Sequence, residues 1–295
     1  MNCTLCPRHC HADRVETLGF CRAGRVPEAA TICVHRGEEP PLCGRKGICN
    51  VFFSRCNLQC VYCQNHDISI STHQPKFIGT DAIVEQIAAI LPTTENIVGF
   101  VTPSHYADHI PAIVNGLHVR GFSPTIVYNT GGYDDVGTLR MLAPYVDVYL
   151  PDFKYMDSAI AQRYSHAADY PDVAVKALSE MYYQKGSSLL TDEEGLAYGG
   201  IIVRHLVLPG EVGNTLRVLE AIADISVNLH VSLMAQYYPP HPDLPDQLNR
   251  VLLPEEYRQA VGHFHALGLH NGWIQELSSE SCYRPDFTQQ QAFNL

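Results

Sequence analysis

Ten of the eleven cysteines lie within the first 63 residues, at positions 3, 6, 10, 21, 33, 43, 49, 56, 60 and 63, and Cys282 stands alone at the far end. A disulfide framework suits a small secreted chain, whereas this cysteine-dense head precedes a long stretch of ordinary α/β sequence. The opening residues, Met1 to Cys10, mix cysteines with polar and basic groups and form no apolar signal segment, so a cytoplasmic location is expected. Metal ligation is therefore the better reading of the thiols. The 295 residues are 46% apolar and 17% charged, enough for a sizeable core in two domains or one α/β barrel. A net charge of −11 disfavours nucleic acid and anionic membranes, whose phosphates need clustered Lys and Arg. No run reaches the roughly 18 apolar residues of a membrane span, so no membrane partner is expected.

From about Gly47 onward, short β-branched runs alternate with helical patterns of apolar residues three and four apart. The pattern predicts strands over 48–53, 97–101, 125–129, 146–152, 200–208, 229–234 and 272–277. Helices are predicted over 81–90, 107–119, 134–143, 158–164, 173–184, 215–225 and 254–267. Such repetition implies right-handed βαβ units and a parallel sheet, either doubly wound or rolled into a complete or partial barrel, with functional residues at strand C-termini. Residues 1–46 show little periodicity and are read as a small metal-held cap, leaving 47–295 as the core with a C-terminal extension. Residues 186–199, centred on Asp192, Glu193 and Glu194, are read as an acidic loop or hairpin.

Cys56, Cys60 and Cys63 follow directly on the first predicted strand, where one loop can wrap three thiolates around a single centre. Soft thiolates select zinc, Cu(I) or iron-sulfur clusters, and a [4Fe-4S] cube normally takes four. Three leave one iron open, the property that separates a catalytic metal site from a closed structural one. The bland alternative is a zinc knuckle or redox-inert thiols. Cys3, Cys6, Cys10 and Cys21 supply four more thiolates, a count that suits either a structural zinc or a second [4Fe-4S] cluster; spacing alone does not choose, and unligated thiols are the alternative. Cys33, Cys43, Cys49 and Cys282 are read as small buried hydrophobes, with accessory ligation the weaker option.

The Cys-x3-Cys-x2-Cys spacing, with the aromatic Tyr62 before the last cysteine, resembles the radical S-adenosylmethionine (radical SAM) superfamily, and residues 52–65 resemble its pyruvate formate-lyase activating enzyme branch. The likeness runs from about residue 36 to 277. It implies an α/β fold, a partial (β/α)6-type barrel carrying the small cysteine-rich N-terminal cap. It further implies that Cys56, Cys60 and Cys63 hold a [4Fe-4S] cluster whose open iron chelates S-adenosyl-L-methionine. One electron, from a donor such as flavodoxin or ferredoxin, then yields a 5′-deoxyadenosyl radical.

The same resemblance nominates cofactor contacts at successive strand ends, with Tyr62 among them. Where the family often carries Gly-Gly-Glu for the methionine amino group, this chain has Val101, Thr102, Pro103, Ser104, His105 and Tyr106. Thr102, Ser104 and His105 are the local polar candidates, against simple turn chemistry at Pro103. Asn129 and Thr130 fall in a segment similar to one that supports the cofactor carboxylate. Asp152 and Lys154 match the family's Asp-x-Lys, which in activating enzymes borders a monovalent cation; Asn129 replaces an acid there, which weakens such a site. A salt bridge at the sheet rim is the bland reading of that pair. Arg204 matches the family arginine that contacts the bound nucleoside or carboxylate, and inside an apolar strand it must have an anionic or hydrogen-bonding partner; His205 points to the opposite face and reads as a satisfied core histidine. Gln236 is a candidate near adenine, and Tyr237 is weighed there against ordinary packing.

Three functions follow as expectations. The first is a radical enzyme that places a glycyl radical on a partner enzyme. The second applies the same chemistry to a small molecule or an RNA-modification intermediate. The third, a non-catalytic zinc or iron-sulfur binding module, requires Asp152, Lys154 and Arg204 to be incidental.

Overall fold

In the computed structural model, residues 2–70, 74–281, 284–287, 289 and 292–293 are described; Cys282 lies outside them. The strands are β1 (Glu28–His35), β2 (Ile48–Phe53), β3 (Phe77–Ile78), β4 (Ile97–Val101), β5 (Thr125–Thr130), β6 (Val148–Pro151), β7 (Leu190–Thr191), β8 (Ala197–Leu206), β9 (His230–Met234) and β10 (Gly272–Ile274). They form one sheet in the order β10-β9-β8-β6-β5-β4-β2-β1-β3, with β7 paired to β8. From β2 through β10 every neighbouring pair on this path is parallel. The helices Thr80–Ile90, Ile110–Val119, Val136–Leu142, Ser158–Ser165, Tyr170–Lys185, Val212–Ile225 and Pro254–Ala266 make the crossovers, so the sheet curls into a partial barrel with β3 and β10 as its free ends.

Strand alternation sorts side chains between two environments. On β2, Cys49, Val51 and Phe53 face the helical shell, where they join the largest apolar cluster. Ile48, Asn50 and Phe52 face the concave side: Ile48 packs with Val127, Leu150 and Ile202, and Phe52 with Val101. Opposite Asn50 stands Gly99 of β4, where a Cβ would come within 2.1 Å of the Asn50 Oδ1; glycine is what allows a polar side chain inside the barrel.

All seven predicted strands and all seven predicted helices occur; the strands over 48–53 and 97–101 keep their ends, and the other elements shift at one end or both. The helix expected over 107–119 begins at Ile110 behind the 3-10 turn Ser104–His109, because Pro111 fits only the first turn of a helix. The acidic segment is a hairpin: Asp192 Oδ1 accepts from the Glu194 and Leu196 N–H groups between β7 and β8. The clearest departure is β1, which falls inside the stretch read as aperiodic cap. It pairs antiparallel with β2, from Ala29 opposite Phe53 to His35 opposite Ile48, so the irregular head gives way to sheet at Glu28. Both faces of β1 are covered, and a strand buried on both sides shows no polar-apolar period. Among the described residues no helix is long and apolar enough to cross a membrane.

Candidate functional site

The concave face of the sheet encloses a cavity of about 770 Å³. Cys56, Cys60 and Cys63 line it, on a loop whose tight path needs left-handed backbone at Arg55 (φ 75°) and Gln59 (φ 53°). The Arg55 N–H donates to Ile68 O at 2.7 Å, and the Val61 N–H donates to Tyr164 O at 2.8 Å. Each of the three sulfurs accepts a hydrogen bond: Cys56 from the Leu58 N–H at 3.3 Å, Cys60 from the Ser165 hydroxyl at 2.9 Å, and Cys63 from the Ser69 hydroxyl at 3.2 Å. The three thiols lie close enough to feel one another's charge. Burial foremost, and then these neighbouring sulfurs, push Cys56 up to about 12 and Cys63 up to about 11. A cationic centre is what would hold such a set ionised, and donors aimed at the sulfurs are what ligating thiolates require. Among the described residues no three Cys, His, Asp or Glu side chains are gathered closely enough for a single metal ion.

Across the cavity the ends of β5, β6 and β8 meet in one polar network. Arg204 donates from Nε to Asp152 Oδ1 at 2.9 Å, from Nη2 to Asn129 Oδ1 at 2.7 Å and from Nη1 to Glu38 Oε2 at 3.3 Å. Lys154 Nζ donates to the other Asp152 oxygen at 2.6 Å. Burial opposes ionisation of Asp152, but Arg204 and Lys154 outweigh it and hold the carboxyl below its usual range. Burial likewise opposes charge on Lys154, and Asp152 with Cys60 raises it above its ordinary value. Behind them the Tyr170 hydroxyl lies 2.9 Å from Gly131 O and 3.0 Å from Asp152 O and accepts from the Lys154 N–H at 2.9 Å, tying two strand ends together. The rim salt bridge and the cavity wall are thus one object.

Thr102, Asn129, Thr130, Asp152, Lys154, Arg204, Gln236 and Tyr62 all border the cavity, but several have committed their polar atoms elsewhere. Ser104 lies outside the cavity lining, and its hydroxyl donates to the buried Asp134 at 2.6 Å. The Thr130 hydroxyl donates to the same carboxylate at 2.5 Å. The Tyr62 hydroxyl is shared with Tyr155 at 2.6 Å, and Tyr237 turns away, donating to Leu248 O. His105 is buried with Nε2 at 2.8 Å from Ser54 O. The Arg204 guanidinium bridges Asp152 and Asn129, the two strand-end residues nominated for a cation. Thr102 holds φ at 55°, a conformation costly for a β-branched residue by roughly 1–3 kcal/mol, while its N–H bonds Asn129 O at 2.8 Å. Gln236 Oε1 accepts from Gln275 at 2.8 Å. His205 is satisfied in the core, by Phe153 O at 2.6 Å and Thr215 Oγ1 at 3.0 Å. Cys33, Cys43 and Cys49 are buried, as read from sequence.

The amino-terminal head sits directly behind the triplet loop. Cys6 feels the charges of Cys21 and Cys3, and Cys21 those of Cys10 and Cys3, so the four thiols share one neighbourhood without being drawn together around a single point. Burial above all lifts Cys6 to about 12, against hydrogen bonds from the Arg8 backbone and the Asn57 side chain. A Cβ at Gly19 would stand 2.3 Å from Cys10 Sγ, so only glycine admits that sulfur. Arg8 clamps head to barrel: Nε donates to Asn57 O at 2.9 Å, Nη2 to Ser165 O at 3.0 Å, and Nη1 to His166 O, with the guanidinium 3.9 Å from the Phe20 ring centre. Asn57, between two triplet positions, therefore touches both cysteine sets.

Sequence reasoning missed His35, Glu38 and Glu39, which it placed in the cap, and the hydroxyls of Ser69 and Ser165. Only the unrecognised β1 carries the first three to the cavity. The Glu38-Glu39 pair ahead of Pro40 was the available signal.

No family model matches the chain. Among solved structures, it is similar to Streptococcus suis SuiB bound to S-adenosylmethionine, with a TM-score of 0.48 and 11% identity over 77% of this chain and 50% of that one. It is similar also to native anSMEcpe with bound AdoMet, with a TM-score of 0.49 and 12% identity over 75% of this chain and 61% of that one. The chain thus spans about half the length of the first and three fifths of the second. In sequence it is 30% identical over 273 residues to the uncharacterized protein MJ0674 of Methanocaldococcus jannaschii, a match that covers 88% of this chain and 73% of that protein. The chain belongs to the same family as MJ0674.

Proposed function

We propose that the chain is a radical SAM enzyme, with Cys56, Cys60 and Cys63 holding a [4Fe-4S] cluster and the neighbouring strand ends binding S-adenosyl-L-methionine. The observation that carries this reading is the placement of three hydrogen-bonded thiols and the Asp152–Lys154–Arg204 network on one cavity. When bound, cluster and cofactor supply one-electron cleavage to methionine and a 5′-deoxyadenosyl radical that abstracts a hydrogen atom. The chain's own residues bind and orient. Lys154 spends one N–H on Asp152 and keeps others for a carboxylate, and Asn129 presents its amide N–H groups once its oxygen is taken by Arg204. Arg204 neutralises Asp152 and Glu38 internally, which supports a wall-building role for it rather than direct cofactor contact. With that guanidinium in place no monovalent cation is needed. A non-catalytic module would leave the shared cavity unexplained.

The finer reading, installation of a glycyl radical on a partner protein, rests on the motif resemblance. A small-molecule substrate is favoured by a specific feature: Pro285 and Phe293, from the C-terminal extension, add to the wall of the cavity. The four head thiols form, in this proposal, a second metal site, a cluster or zinc, with flavodoxin or ferredoxin as external donor. Anaerobic reconstitution with iron and sulfide, followed by reduction and assay of 5′-deoxyadenosine, tests the enzyme reading. Tightly held zinc without cofactor cleavage would overturn it. A glycyl radical in a partner, seen by electron paramagnetic resonance, would favour the activating reading over the small molecule.

A further inference from the structure

The cavity continues well below the cysteines. His35 stands opposite Ile48, at the start of β2, while the triplet follows Phe53 at its end. At about 3.3 Å per residue the two ends are roughly 16 Å apart. His35, Glu38 and Glu39 border the cavity, and His35 marks its end away from the triplet, with Glu38 reaching up to Arg204.

Charge there is not balanced. Glu38 is satisfied, accepting from Asn50 Nδ2 at 2.8 Å and from Arg204, and Asp152 is satisfied by Arg204 and Lys154. Glu39 is different. It is 8% exposed, Ser232 reaches its carboxyl, and its Oε2 has no partner among the described residues. His35 is 6% exposed, close enough to Glu39 to feel its charge, and its Nδ1 also lacks a partner. Two buried side chains that border the same cavity and feel each other's charge, each with a polar atom that has no partner among the described residues, mark a place for a ligand that donates hydrogen bonds. Burial pushes the Glu39 carboxyl up, and the Arg204 charge opposes it. Above this corner the walls are apolar, with Phe52, Leu206, Met234 and Trp273.

We propose that Glu39 and His35 form the substrate-recognition corner of this cavity, taking the primary ammonium group of a small molecule whose apolar body lies against Phe52, Met234 and Trp273. This rests on reading the upper cavity as the S-adenosyl-L-methionine site, since it reserves the lower part for the second molecule.

Trp273 is the single tryptophan of the chain and borders the cavity, so its fluorescence reports occupancy. The reconstituted protein is titrated with 2-phenylethylamine, 2-phenylethanol and phenylacetate, which share an aromatic body and differ in charge. The amine is expected to bind at least about tenfold more tightly than the other two, and Glu39→Gln to erase that preference. Equal binding of the three probes, or a preference that survives Glu39→Gln, overturns the proposal. Absence of a saturable response to the amine also overturns it and leaves ordered water as the partner of Glu39. If Glu39→Gln does not fold, the ranking of the three probes by the unsubstituted protein decides. Formation of 5′-deoxyadenosine by that protein is measured separately. A protein that prefers the amine yet cleaves no cofactor refutes the radical reading alone.

Discussion

The Ser165 hydroxyl lies 2.9 Å from Cys60 Sγ, joining residues 105 positions apart in sequence. The same oxygen is 2.7 Å from the Tyr155 hydroxyl, which is 2.6 Å from that of Tyr62, so the chain of hydroxyls leaves the triplet loop at Tyr62 and returns to it at Cys60. The loop is thereby braced by the end of helix Ser158–Ser165, and its sulfur is held in a polar rather than an apolar setting.

Ser165→Ala should retain all three ligating thiols and its iron, yet lower the reduction potential of the cluster. A hydrogen bond to a ligand sulfur favours the more negative, reduced form. The buried Tyr155 hydroxyl loses one of its two partners and keeps Tyr62, at a cost of about 1 kcal/mol in stability. Redox titration and thermal unfolding measure the two effects. An unmoved potential at full iron content would show that the Ser165–Cys60 contact does not tune the site.

Alanine at Cys56, Cys60 or Cys63 should abolish 5′-deoxyadenosine formation and the bound iron while leaving the βαβ core folded. The apolar clusters of that core do not depend on a metal. Circular dichroism together with iron analysis separates loss of the site from loss of the fold. Cofactor cleavage by reconstituted Cys60→Ala would disprove the triplet assignment.

Arg8→Ala should undock the head. Three backbone carbonyls, those of Asn57, Ser165 and His166, lose charge-assisted donors worth about 1.5–3 kcal/mol each, less the hydration they regain. Lysine cannot reproduce a three-way planar fork, so Arg8→Lys should recover little. Limited proteolysis should cut the variants near residues 11–27 while the barrel stays resistant; protection equal to the parent would count against the clamp.

Arg204→Ala should destabilise the site by about 3 kcal/mol, because it leaves the buried Asp152 carboxylate with Lys154 alone and that of Glu38 with only the Asn50 amide. Its effect on cofactor affinity should follow from the disturbed wall, and added potassium or sodium should leave that affinity unchanged in the parent. Denaturant unfolding and binding titrations check both. A cation-dependent affinity in the parent would mean that the guanidinium shares its place.

His205 gives a pH test. Burial first, with Lys154 adding to it, lowers it to about 4 from 6.5, so the unfolded chain binds a proton in this window that the folded chain refuses. The stability from a neutral His205 is complete above pH 6.5 and is lost as pH falls through 4, with a slope of up to about 1.4 kcal/mol per pH unit. His205→Asn should remove this slope. Unfolding free energies of parent and variant, measured between pH 7 and 4.5, should converge towards acid; parallel curves would refute the assignment.

The alternation of β-branched runs and amphipathic helices in the sequence determined the α/β repeat, because burial of one face imposes its period locally and each element carries it along its own length. The triplet loop was legible for a similar reason: Cys56, Cys60 and Cys63 are neighbours in sequence, so their spacing already states their geometry. The strand ends were legible as places, and Asp152, Lys154 and Arg204 do meet there. What each polar atom does was decided by tertiary structure alone. Ser104 and Thr130 were candidates of the same kind as Asn129 until Asp134 claimed their hydroxyls, and no local pattern shows which carboxylate will lie beneath a turn. β1 was hidden because both its faces are buried, and with it went His35, Glu38 and Glu39, which reach the cavity only when that strand pairs with β2. Hydrogen bonds between residues far apart in sequence, such as Ser165 to Cys60 and Arg8 to Asn57, leave no period to read; they exist only once packing has fixed the distances.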